Sequence, residues 1–141
     1  MRKTAQICAL LAGLCTLGIA IYLLAAQPSI DKDWLGVWVD EMEIGSKFDL
    51  ANAHIVTGVI ALCFAALTFF GAYLISNRFV AGAILIVLLD MFACMGIAVS
   101  PDPKWGVLVW MVPGLLMAAV AFLLGMELQR TQPPEGMAEL E

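Results

Sequence analysis

Asp90 is the residue best placed to do chemistry in this chain. It stands near the middle of an apolar run, residues 79–100, that contains no other charge. Three more runs of that length occur, so Asp90 reads as a carboxylic acid inside a bilayer. Such groups are costly there and face protein, water or a partner rather than lipid. No Lys, Arg or His lies at the same depth. Its partner must be a hydroxyl, an indole, a backbone carbonyl, a proton or another subunit. Two chemistries follow. One is a protonatable site for proton or cation coupling; the other is an acid that bonds a neighbouring helix or subunit. Depth counting from the helix ends brings Asp90 near Thr16 or Cys15, near Ala65 or Thr68, and near residues 109–114. The hydroxyls of Thr16 and Thr68, the Trp110 indole and the Val109 carbonyl freed by Pro113 are its candidate partners.

His54 is the only histidine. It falls at the outer end of the second apolar run, about 15 Å from Asp90 at about 1.5 Å per residue. The two cannot form one relay without intervening water. His54 is instead a candidate to pair with Asp49 or another loop acid, or to help bind a metal or pigment. One histidine cannot supply bis-histidine haem ligation. Met91, Cys94 and Met95 bring soft sulfur together, a ligand type suited to Cu(I), yet the same residues fill helix interfaces and no metal is assigned to them. No EF-hand pattern organises the outer acids. The chain carries no HExxH, P-loop or dinucleotide fingerprint, and no Ser/His/Asp set with workable geometry. An enzyme is not expected, nor is a cofactor; the pattern admits bound lipid or pigment.

The elements that must position these residues follow from composition. Of 141 residues, 62% are hydrophobic and 13% charged, against about 25% charged in soluble domains. A hydrocarbon core of about 30 Å needs roughly 20 apolar residues per helix. Four segments qualify: 5–26, 55–76, 79–100 and 105–126. The expected fold is an all-α integral membrane protein: one domain over 1–141, an antiparallel four-helix transmembrane bundle. The turns at Asn77-Arg78 and Pro101-Asp102-Pro103-Lys104 are short enough to force antiparallel neighbours. The first run has a basic start, Arg2-Lys3, but exceeds the 7–15 residues typical of a signal core; it reads as a transmembrane helix.

Helix 1 carries Ala5, Ala9, Ala12, Gly13, Thr16 and Ala20 at three- and four-residue steps, and helix 2 carries Thr57, Ala61, Ala65, Thr68 and Ala72. Such small stripes let helices approach closely in lipid. In helix 3, Ala83, Asp90, Ala93 and Cys94 are expected on one packing face. Pro113-Gly114 predicts a kink in helix 4. Cys8, Cys15, Cys63 and Cys94 all fall inside helices without a CxxC, which argues against a disulfide framework and thiol redox chemistry.

The outer loop, 27–50, repeats Trp34, Leu35, Trp38, Val39 and Met42 at helical spacing, with Asp33, Asp40, Glu41 and Glu43 largely on the other side. This predicts a short amphipathic interfacial helix with tryptophans at headgroup depth. Trp34, Trp38, Asp40, Glu41, Glu43 and His54 are the candidate outer contact residues. Arg2, Lys3, Arg78 and Arg130 fall on one side of the membrane and Lys32, Lys47 and Lys104 on the other. Charges flanking the first helix count most, so both termini are expected in the cytoplasm, with 127–141 as a cytoplasmic tail. Seven acids against three lysines leave the outer side at −4, suited to a basic partner or a cation. The basic residues are too few and scattered for nucleic acid.

In length and helix count the chain resembles the small multidrug resistance transporters. That resemblance implies a membrane glutamate in the first helix, where this chain has no acid. Trp34 with Gly36-Val37-Trp38 is similar to the W…GLW pattern of claudin-like four-helix proteins, whose paired loop cysteines are absent here. Neither resemblance carries a residue role across. The expected function is a non-enzymatic accessory or assembly subunit of a larger membrane complex, in a plasma membrane of bacterial inner-membrane type. It would bind membrane lipids and a larger integral membrane partner, with a homo-oligomer admissible. The alternatives are a small proton- or cation-coupled transporter using Asp90, and a membrane immunity or inhibitor protein acting through the acidic loop.

Overall fold

The computed structural model describes residues 1–26, 53–98 and 106–131, with side chains for 1–26, 55–95 and 111–131. The described residues form four helices: α1 (Arg2–Ala26), α2 (Ala53–Asn77), α3 (Phe79–Ala98) and α4 (Gly106–Thr131). The proposed loop helix with Trp34, Trp38, Asp40, Glu41 and Glu43 lies outside the described residues, as does the tail from 132 onward.

Long Leu-, Ile- and Ala-rich runs make helices because an apolar solvent leaves backbone groups no partners but their own. Among the described residues, three spans are long and apolar enough to cross a membrane: Arg2–Ala26, Ile55–Asn77 and Met111–Thr131. In α3 the described apolar stretch is shorter, Phe79–Met95. Apolar side chains cover the outside as well as the core. Ile7, Leu14, Val59, Phe70, Val80, Ile84, Leu115 and Phe122 are all exposed, a surface that water would not tolerate at this density.

Helix ends run close to the expected limits, with one informative difference. α4 continues past Met126 to Thr131. Glu127, Leu128, Gln129 and Arg130 are good helix formers, and no proline intervenes before Pro133. The Thr131 hydroxyl closes the end by donating to the carbonyls of Leu128 (3.0 Å) and Glu127 (3.2 Å). Pro113 sits inside α4 without ending it, and Pro113 and Gly114 are both buried.

α1 packs against α2 and α4, and α3 packs against α2 and α4. The buried faces of α1 and α2 are their small-residue stripes: Ala5, Ala9, Ala12, Gly13, Thr16 and Ala20 on α1, and Thr57, Ala61, Ala65, Thr68 and Ala72 on α2. Specific contacts fix the heights. A Cβ on Gly13 would lie 2.9 Å from the Phe69 ring, and one on Gly58 would lie 2.8 Å from Leu24. Arg2 Nε donates to the Ile75 carbonyl at 3.0 Å. The start of α1 therefore lies beside the end of α2, and its end beside the start of α2.

Between α2 and α3 stands one residue, Arg78, whose N–H donates to the Leu74 carbonyl at 2.6 Å. So short a turn presses the two backbones together. A Cβ on Gly82 would come within 2.6 Å of the Ile75 backbone nitrogen, so only glycine fits there. The core cluster gathers Ala5, Ala9 and Ala12 from α1, Ala72 and Ile75 from α2, Ala83, Ile86 and Leu89 from α3, and Met117, Val120 and Leu124 from α4. It occupies the half of the molecule nearest the α2–α3 turn.

Candidate functional site

Asp90 lies just beyond that core, one residue after the buried Leu89. The buried stripe of α3 is Gly82, Ile86, Leu89 and, half-buried, Ala93. On the outer side run Val80, Ile84, Val87, Met91 and Cys94, all exposed. At about 100° per residue, Asp90 falls on the flank between the two stripes, and it is half-buried. The expected face of Ala83, Asp90, Ala93 and Cys94 is thus divided: Ala83 and the half-buried Ala93 turn inward, Asp90 sits at the edge, and Cys94 is exposed.

One carboxylate oxygen, Asp90 Oδ1, is buried and has no hydrogen-bond partner among the described residues. The contacts Gly71–Ile86 and Gly82–Ile75, with the edge-on Phe64–Phe92 ring pair at 6.4 Å, set the register of α3 on α2. They place Asp90 at the height of Leu67 and Thr68. The Gly13–Phe69 contact brings the Gly13–Thr16 turn of α1 to about the same level.

Thr68 and Thr16 therefore share Asp90's level, but their protons go elsewhere. Thr68 Oγ1 donates to the Phe64 carbonyl at 2.7 Å, and Thr16 Oγ1 to the Ala12 carbonyl at 2.9 Å. Both bonds are to the residue one turn back on the same helix. A hydroxyl has one proton, so each threonine offers Asp90 only acceptor lone pairs. Among the described residues, this level holds three oxygen-bearing side chains, and neither threonine donates to the carboxylate.

Trp110 lies in α4 and His54 in the first turn of α2, but their side chains fall outside the described residues. The sulfur set divides by direction: Met91, Cys94 and Met95 are all exposed, away from the buried stripe. Comparison with protein-family models, with curated proteins and with solved structures found no match. The site's own geometry therefore carries the functional reading.

A second polar constellation, which sequence reasoning passed over, occupies the end of the molecule at the α2–α3 turn. Arg2 caps the Ile75 carbonyl, one of the last-turn carbonyls of α2 that lack intrahelical donors, and its Cζ stands 5.2 Å from the centre of the Phe79 ring. Glu127, near the end of α4, has a buried Oε2 with no hydrogen-bond partner among the described residues. The sequence treats Arg2 only as a topology charge and Glu127 as tail. The usable signal was position: an arginine opens α1 and an acid stands near the end of α4.

Proposed function

We propose that this chain is a non-enzymatic accessory subunit of a larger integral membrane complex. All four helices would cross a plasma membrane of bacterial inner-membrane type as an antiparallel bundle. Its termini would face the cytoplasm and its acidic loop, with the interfacial Trp34/Trp38 helix, the outside. One observation carries the reading: Asp90 Oδ1 is buried without a hydrogen-bond partner among the described residues. A buried acceptor left unmatched costs about 1–3 kcal/mol, more if charged. Asp90 as a whole is only half-buried and stands on the flank of α3 next to an exposed stripe, so the accessible side of its carboxyl group faces the place where a second chain would pack. Extraction in mild detergent followed by native mass spectrometry tests this. The expected result is a stoichiometric larger membrane protein bound to the wild-type chain and lost with Asp90→Asn.

A second reading draws on the same level of the molecule. Three oxygen-bearing side chains, Thr16, Thr68 and Asp90, stand at one height. A small proton- or cation-coupled transporter would use Asp90 as its coupling group. It predicts a homo-oligomer without larger partners, and proton flux in reconstituted vesicles that Asp90→Asn abolishes.

A further inference from the structure

Resting on the accessory-subunit reading, we propose that the outer face of α3 is the docking surface, and that its occupant is a transmembrane helix with a Lys or Arg level with Asp90. Val80, Ile84, Val87, Met91 and Cys94 are all exposed and follow one another at steps of four, three, four and three. That is the spacing of a coiled-coil seam, with the first three positions β-branched. The stripe alone would suit lipid equally well, because lipid tails are as apolar as the side chains. Asp90 decides between lipid and protein. It immediately precedes Met91, in the position flanking such a seam, where interhelical charge pairs set partner choice.

Charge complementarity then names the partner's chemistry. Of the seven basic residues of this chain, Arg2, Lys3, Arg78 and Arg130 lie at helix ends, and Lys32, Lys47 and Lys104 fall outside the described residues. The nearest along α3, Arg78, is 12 residues away, about 18 Å along the helix axis. An indole can supply a hydrogen bond to Asp90 but no charge. A second copy of this chain has no cation at that height either. The complementary group must come from a different chain, on a helix close enough to the stripe to reach past Met91.

The test uses the full chain in its native membranes. The photoreactive residue benzoylphenylalanine replaces Ile84 or Val87 on the stripe, or Leu115 or Phe122 on the exposed face of α4, one at a time. Adducts are identified by peptide mass spectrometry. The expected result is one protein joined at 84 and 87 but not at 115 or 122, through a transmembrane peptide containing Lys or Arg. Asp90→Asn should lower the yield by about thirtyfold or more, thirtyfold being the smaller end of the loss expected when one member of a buried charge pair is removed. Asp90→Glu should retain most of it. Adducts only with lipid or a second copy, a partner peptide without a basic residue, equal yields at the α4 positions, or yields indifferent to Asp90→Asn would each overturn the proposal. If native mass spectrometry still shows a bound partner in those cases, the docking surface is wrong and the accessory reading stands. If no partner binds at all, both fail.

Discussion

The two halves of this molecule are packed on different principles. Near the α2–α3 turn the interior is aliphatic: Ile75 and Ile86 are fully buried, with Leu89, Val120 and Leu124 around them. Beyond Leu89 the described buried residues are small or polar: Ala20, Ala61, Ala65, Thr16, Thr57 and Thr68, with Asp90 at the edge. In lipid, helices are held by close packing and hydrogen bonds rather than by expulsion from water. The first half uses shape to hold the helices together. The second keeps them close with small side chains and leaves Asp90 Oδ1 without a partner among the described residues at mid-helix, whereas the first half's counterpart, Glu127 Oε2, stands near a helix end. A region that gains nothing from a polar group in isolation, yet carries one, is where a partner is expected.

The sharpest way to break this contrast is to spoil the packed half. Gly82→Val would drive a side chain into the Ile75 backbone, where even a Cβ stands at 2.6 Å. Overpacking of this kind costs about 3 kcal/mol at the upper end of the usual range, so the thermal midpoint in detergent should collapse. Ile86→Ala should cost less, about 2 kcal/mol, because it opens a cavity but exposes nothing to water; chemical unfolding in mixed micelles measures it. Arg2→Gln removes the bond to the Ile75 carbonyl and the contact with Phe79, with an expected loss of about 1 kcal/mol in the same assay. Thr68→Val should sit near zero, within about 0.6 kcal/mol, although Thr68 is fully buried. Its hydroxyl serves its own helix, which keeps its hydrogen bonds without it.

That last case shows why some of the site was hidden in the sequence. The small-residue stripes of α1 and α2 were legible because their period matches the helix and because lipid-embedded contacts select small side chains. The level of Asp90 was legible too, since helix rise is constant and the turns are short. The direction of a threonine proton was not. A hydroxyl within reach of the carbonyl one turn back bonds there as readily as to a neighbouring helix, and no spacing distinguishes the two. Nor was the division of α3 into buried and exposed stripes readable, because every residue of that helix around Asp90 is apolar. Only packing shows that Cys94 turns out while Leu89 turns in. Arg2 was missed for a related reason: a charge near a helix start reads as topology until the end of α2 is seen beside it.

The central claim is that Asp90 burdens the isolated chain and is satisfied by a second one. The most direct measurement is the thermal stability of the purified chain and of its partner-bound complex, each with Asp90 or with Asp90→Leu. Opposite signs are expected: the substitution stabilises the isolated chain, by removing a buried oxygen without a partner among the described residues, and destabilises the complex. Loss of stability in both, by similar amounts, would contradict the claim and make Asp90 an internal brace of the bundle.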